Sequence, residues 1–494
     1  MLLAERAVAG GRRVLMLERG RPYTFADRLR RRGHHDGERF NRTGHRIAQA
    51  TPNVPDYEYD AVFNLGGSTN HFYGNTPRMH PSHFDLEAFG GMSRRWPLRY
   101  EELEPYYLRA EARLRISGSS ERTPFPGRFA YPLPPHRFSP ADRSCESLFG
   151  ADHVVHVPTV RPTQPVDGRP PCCATDTCRL CPIDSKGTAL NLVYPSIKDR
   201  IDLRTSLLVT EVHVSGRRVS GLTALDRSGR AQRIEARDYI VASNGVESCL
   251  LLQRSPGVPR HATLGACFMD HPTFDVAIYG SGLDGRPGYG SSAQTAMITA
   301  FFERVAGDLP VSMLGEVRFA DPVNANVRDE VVGDVTKLAL DGRHSASESF
   351  RTRFEDIWRS TIYLRFLVET QPMMDNVLSV GEIAPSGQAF PALTLAFPPY
   401  FDRCVERVVT HLQSVVPDAT VRTLRRRATS YHWMGAVRMA DDPREGSVDR
   451  DLRYHGLDNL FVLSAAAFPS CSSANPTLTL GALSLRLGDH LSSS

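Results

Sequence analysis

The chain is long but poor in net charge: 494 residues carry a formal charge of only +4, and arginine supplies nearly all of the 59 basic side chains. So small a balance argues against a nucleic-acid or membrane-surface partner. The one basic run, Arg28 to His35, reads as a solvated loop. The shortage of lysine reads as codon bias in a GC-rich genome. No apolar stretch is long enough to span a bilayer. Nor is there a signal-peptide pattern: Glu5 and Arg6 interrupt the first apolar run, and no cleavage site follows. The expected location is cytoplasmic, where thiols stay reduced. That disfavours disulfides among the nine cysteines.

A further absence lies at the start. "LLAERAVAGG" has helical spacing, with Leu2, Leu3, Ala7 and Val8 on one stripe and Gly10-Gly11 as the stop. "RRVLMLERG" then reads as a buried strand, Val14 to Leu17, ending in Glu18. Helix, glycine stop, strand and terminal acid make the second half of a βαβ dinucleotide unit, whose acid accepts from an adenosine ribose. The first strand and the G-x-G-x-x-G turn that lets backbone approach a pyrophosphate are missing. The expectation is a start codon placed about thirty residues late, the length of the unit. Taken as written, the chain would bind a dinucleotide more weakly and lack the first strand of the sheet.

What is present fits a soluble protein of two or more domains: 41% hydrophobic and 23% charged residues over a length beyond a single core. "NLGGSTNHFYGNTPR", Asn64 to Arg78, holds a polar glycine turn at Gly66, Gly67, Ser68 and Asn70, able to face a phosphate or a ring edge, or to be an ordinary turn. Trp96 to Leu114 reads as a capped amphipathic helix with packing aromatics. A β-meander turning at Gly216 and Gly229 precedes strand, turn and helix in Asp238 to Ser255. Residues 271–427 mix strand and helix without a chemical motif.

Two constellations carry chemistry. "CCATDTCRLCP" gathers Cys172, Cys173, Cys178 and Cys181 in one loop; a cluster, zinc or free thiols all remain open. Near the C-terminus, His432 lies among Tyr431, Trp433 and Met434, where burial would keep its imidazole neutral and able to take a proton. Asn475 and Pro476 open a helix, as N-cap and first helical residue. Spacing alone favours a satisfied core histidine and a simple cap over a catalytic pair.

"VLMLERG", "NLGGSTNHFYGNTPR", "YIVASNGVESCLLL", "FMDHP" and above all "HWMGAVRM…AFPSCSSANPTLT" together resemble the glucose–methanol–choline (GMC) oxidoreductases, near the bacterial sugar dehydrogenase and pyranose oxidase branch. The resemblance implies α/β and α+β architecture. A Rossmann-like FAD domain would comprise 1–90, 160–270 and 428–494, with cap or linker segments at 91–159 and an antiparallel-sheet substrate domain at 271–427. It implies FAD-dependent oxidation of an alcohol, of a sugar, sugar derivative or polyol, by hydride transfer to flavin N5, with His432 as base and Asn475 as its partner. Glu18 would hold the adenosine ribose; Gly66, Gly67, Ser68 and Asn70 the flavin; Val209 the adenine; Ala465, Ala466 and Pro476 other parts of the cofactor. Ser464 stands where many members carry an acid or glycine. His71 aligns with a histidine that tethers FAD covalently in some members. The cysteine loop resembles one that holds an iron–sulfur cluster beside the flavin in bacterial sugar dehydrogenases, although its last gap is one residue shorter. A cluster would pass electrons to a redox partner protein. The alternatives are a hydrogen-peroxide-forming oxidase and a truncated, non-catalytic remnant.

Overall fold

In the computed structural model, the described residues are 1–27, 45–46, 57–59, 61–85, 95–127, 129–174, 178, 181–286, 294–303, 309, 311–318, 356 and 359–493. The basic run Arg28 to His35 lies outside them.

The first helix, α1 (Leu2–Ala9), forms where the spacing placed it. Leu3, Ala4, Ala7 and Val8 are its buried face, and Gly10 closes it. The strand β1 (Leu15–Glu18) follows and pairs in parallel with β3 (Asp202–Thr205), Leu15 opposite Asp202 and Glu18 opposite Thr205. Helix α2 (Tyr100–Leu114) has a capping box in which Glu102 reaches back to Arg99 N–H; Pro105 is tolerated within it. Helix α3 (Pro140–Phe149) starts at Ser139, whose hydroxyl accepts from Asp142 N–H, with Pro140 at the first position. Strand β2 (Val154–His156) follows α3.

After β3 comes the expected meander: β4 (Leu208–Ser215), β5 (Arg218–Leu225) and β6 (Ala231–Ile234), antiparallel in that order. Gly216 and Gly229 take the left-handed conformation that the two turns require. Strand β7 (Tyr239–Val241) then leads into α4 (Gly245–Arg254). Asn244 caps α4 by accepting from Val246 N–H and Glu247 N–H. Strand β7 pairs in parallel with β15 (Leu460–Val462), so remote parts of the chain meet in one layer.

A six-stranded sheet dominates the other half. Its members are β2, β8 (Thr273–Tyr279), β9 (Ala296–Ile298), β10 (Met313–Arg318), β11 (Thr361–Val368) and β14 (Thr420–Arg427), in the spatial order β14-β8-β11-β10-β9-β2. Every pairing in it is antiparallel. Strands β12 (Val377–Ile383) and β13 (Ala389–Thr394) form a separate hairpin.

Period-2 alternation gives the six-stranded sheet two unlike faces. Phe274, Val276, Ile278, Ile362, Leu364 and Phe366 pack under α3 and α5 (Phe401–Val415), against Cys145, Leu148, Phe401, Val405 and Val408. The opposite face carries Asp275, Glu316 and Arg365. Arg365 grips Asp275 with two hydrogen bonds of 2.7 Å. The mixture of parallel pairs, meander and large antiparallel sheet is the α/β and α+β architecture expected. The last helix, α6 (Thr477–Ser493), packs on α1 and α2. Among the described residues, no helix is long and apolar enough to cross a membrane.

One ion pair ties the glycine-loop segment to α2. Arg78, fully buried, donates from Nε and Nη2 to the two carboxylate oxygens of Glu111, both at 2.7 Å, and from Nη1 to Tyr100 at 3.0 Å. Removing one partner strands a buried charge. Arg78→Met is therefore expected to cost about 3–5 kcal/mol in a denaturant titration. The double variant with Glu111→Leu should recover most of it.

Candidate active site

Two backbone segments form a clip that carries the site. Met269 and Met434 exchange both backbone hydrogen bonds, at 2.9 Å each way. Gly265 N–H donates to Ala436 C=O and Ala436 N–H to Ala266 C=O. The clip is tight at Gly435, where φ is +76° and a Cβ would lie 1.9 Å from the carbonyl oxygen of Cys267. The antiparallel register, carried two residues on, sets His271 opposite His432 on one face. The rings meet edge to face at 5.0 Å, and the two Nδ1 atoms are 2.9 Å apart.

Asp270 holds both histidines through their backbones. Its Oδ1 accepts from the N–H groups of His271 (2.7 Å), His432 (3.0 Å) and Ser430 (3.2 Å). Its Oδ2 accepts from Tyr57 Oη at 2.5 Å and from the Thr429 hydroxyl. Burial raises the Asp270 pKa above the ordinary carboxyl value, and these donors oppose the rise.

Asn475 completes the group. Its Nδ2 stands 3.4 Å from His432 Nε2. The following helix begins at Thr477, so Pro476 precedes it instead of opening it, and the Asn475 side chain turns toward the histidine. On its far side His271 Nε2 meets the carbonyl of Ser472. The His432 side chain is half-buried, and the desolvation of its ring lowers its pKa to about 4. The imidazole is thus neutral at neutral pH, with a nitrogen lone pair available to a proton. Burial and the neighbouring His432 hold His271 well below its ordinary value.

The glycine turn is a short 3-10 helix, Gly67–Asn70, entered through Gly66 at φ +93°. A Cβ on Gly66 would come within 3.0 Å of the Asn70 amide. Asn70 Nδ2 donates to Asn64 Oδ1 (2.7 Å) and Leu65 C=O (2.9 Å), while its buried Oδ1 has no partner. An unmet buried acceptor fits a donor group on a bound cofactor. Ser68 lies on the same turn, and the His71 ring packs 5.9 Å from that of Tyr23. Glu18 ends β1, accepts from Gly20 N–H at 2.6 Å, and is pushed up in pKa by burial. Val209 sits on β4 opposite Ala224. Ala465 and Ala466 form a buried turn, capped by the Ser464 hydroxyl accepting from Ala466 N–H at 3.2 Å.

Among the described residues, no group of three His, Cys, Asp or Glu side chains is arranged to hold a metal ion. The thiols are engaged one by one. Cys172 Sγ accepts from Ala174 N–H, Cys178 Sγ faces Arg161 Nη1 at 3.8 Å, and Cys181 Sγ accepts from Lys186 N–H at 3.5 Å. Lys186 Nζ in turn donates to Phe72 C=O at 2.5 Å. The loop therefore buttresses the glycine turn through backbone and cation contacts.

The sequence singled out His432 and Asn475 but missed His271, Asp270, Tyr57 and Thr429. The signal for the first two was the "FMDHP" stretch, to which no role had been attached.

With this geometry in place, the comparisons with known proteins can be read. Residues 400–484 match the family profile described as GMC oxidoreductase. The match lies in the C-terminal part of the chain, and it is these residues that are similar to the GMC oxidoreductases. GMC oxidoreductases bind FAD, and the Asn70 and Gly66 geometry fits that group. The chain is 27% identical over 469 residues to the fructose dehydrogenase large subunit of Gluconobacter japonicus, covering 89% of this chain and 82% of that one. It is 27% identical over 462 residues to 6'''-hydroxyparomomycin C oxidase of Streptomyces lividus, with 87% and 79% covered. Pyridoxine 4-oxidase from Mesorbium loti shares the fold of this chain, with a TM-score of 0.66 at 18% identity over 100% and 97% of the two chains. A formate oxidase superposes with a TM-score of 0.64 at 13% identity over 100% and 96%.

The neutral His432 makes stability depend on pH in a defined direction. Its unfolded value, 6.5, lies above its folded value of about 4, so the unfolded chain binds the extra proton first. Stability present above pH 6.5 is lost as pH falls through that window toward 4. The thermal midpoint should drop over this range, and less steeply in His432→Gln, measured by scanning fluorimetry at fixed ionic strength.

Proposed function

We propose that this chain is an FAD-dependent dehydrogenase that oxidises a hydroxyl group of a sugar, sugar derivative or polyol to a carbonyl. The observation that carries the reading is the His432–Asn475 pair: a half-buried neutral imidazole with Nε2 facing a side-chain amide donor. Support for the substrate class comes from the names of its relatives, which act on fructose and on an aminoglycoside.

The roles divide simply. His432 Nε2 takes the hydroxyl proton, so that the O–H bond breaks as an N–H bond forms. Asn475 Nδ2 donates to the same oxygen and holds it as negative charge develops. Asp270 keeps the His432 backbone from shifting during the transfer. FAD, when bound, supplies the two-electron acceptor that takes the hydride from the carbinol carbon. Asn70, Ser68 and the Gly66-Gly67 backbone would hold its flavin end, and Glu18 its ribose; His71 would be the residue to carry a covalent tether. An external acceptor, such as a redox partner protein, would then take the electrons.

An oxidase is the second reading, favoured by the fold neighbours, which are oxidases. Hydrogen peroxide produced in step with substrate in air would select it; turnover only with an added dye acceptor would select the dehydrogenase.

His432→Ala should lower substrate-driven flavin reduction about 10²- to 10⁴-fold, the usual contribution of a general base, while the protein keeps its flavin absorbance. Near-normal reduction would remove His432 from that role. The acid limb of kcat/KM should lie close to pH 4 in place of 6.5, because burial favours the base form down to that range. A pH series of stopped-flow reduction rates reads both.

A further inference from the structure

We infer that His271 is a positioning residue that dictates which ring nitrogen of His432 carries the proton, and so which nitrogen is free to act as base. The inference rests on the reading of His432 given above and deepens it.

The argument runs from one oxygen. The Ser472 carbonyl can only accept, so the His271 Nε2 that meets it must carry a hydrogen. A neutral imidazole has one N–H, which leaves a lone pair on His271 Nδ1. That lone pair faces His432 Nδ1 at 2.9 Å. Two lone pairs do not make a contact of this length, so the hydrogen between the rings belongs to His432 Nδ1. The remaining nitrogen, His432 Nε2, is then bare, and it is the atom beside the Asn475 amide. Reversing the order would set bare nitrogen against the Ser472 carbonyl and leave a buried acceptor pair unsatisfied. Burial of His271 and the adjacent imidazole keep that ring neutral, which the scheme requires.

The arrangement also survives the proposed chemistry. When His432 Nε2 gains the hydroxyl proton, its Nδ1–H continues to donate to His271. No ring has to turn between the two protonation states. Asp270 takes no part in this relay, because its oxygens are occupied by backbone N–H groups and by the hydroxyls of Tyr57 and Thr429. The chain Ser472–His271–His432–Asn475 is therefore a fixed sequence of donors with one open acceptor.

The test uses the full chain labelled with 15N-histidine. Two-bond 1H–15N spectra distinguish the tautomers, and the His432 signals are those lost in His432→Gln. The wild-type protein should show His432 as the Nδ1–H form. In His271→Asn an amide oxygen stands where Nδ1 stood, so the tautomer should persist and reduction should stay within severalfold of wild type. In His271→Gln the donor to Ser472 is kept but the acceptor for His432 is gone. The Nδ1–H form should then give way to Nε2–H, with substrate-driven reduction slowed about 10- to 100-fold, the scale for outer partners that orient a histidine. Finding His432 as Nε2–H in the wild type overturns the inference, and this reading needs no His271 variant to fold, only the assignment variant His432→Gln. So does an unchanged tautomer in a folded His271→Gln. If His432→Ala retained turnover while the tautomer followed His271 as expected, the base reading would fall and the proton placement would stand.

Discussion

Burying a carboxyl group costs several kcal/mol unless other donors replace its water, and the donors around Asp270 come from three separated stretches of chain. Tyr57 comes from the segment before the glycine turn, His271 from its own segment, and Thr429, Ser430 and His432 from the far end of the sequence. Satisfying this one group brings all three together. Once they are joined, the Met269–Met434 exchange sets the register and the two imidazoles face each other. The site is therefore a by-product of solving an electrostatic problem. Its geometry is rigid because any drift would uncover a buried charge.

The six-stranded sheet supplies the second constraint. Its apolar face is consumed by α3 and α5. Its other face keeps charged side chains inside the protein, where they survive only by mutual pairing. Asp275 and Arg365 form a two-bond pair, and Gln294 bridges to Glu316 at 2.9 Å. Strand β8 begins two residues after His271 and belongs to this sheet, so the histidine pair and the polar face share one backbone. The histidine pair and the polar face are thus coupled through a short length of strand, in which small shifts at one end are felt at the other.

Much of this was legible in the sequence, and the misses have physical reasons. The apolar stripe of α1, the glycine turns of the meander and the Asn244 cap are local features, so local pattern reveals them. His432 and Asn475 stood out because of their neighbours, although nothing in 43 residues of separation says that they touch. Asp270 and His271 were hidden because their roles come from cross-strand register and from burial, neither of which exists until the chain is folded. The cysteine loop is a different case: its spacing left a cluster, zinc and thiols alone all open, and spacing does not reveal neighbours such as Arg161 beside Cys178 and the Lys186 N–H beside Cys181.

The tight crossing at Gly435 bears on how such a site can be reshaped. A methyl group there would sit 1.9 Å from the carbonyl of Cys267, so any side chain must force the two segments apart. Separation at that point would widen the gap between the two imidazoles first. In a directed-evolution library, position 435 is thus closed, whereas the polar face of the sheet offers positions where pairs can be exchanged together. New substrate preference should arise from coordinated changes on that face, with the crossing left untouched as the hinge pin that keeps the chemistry aligned.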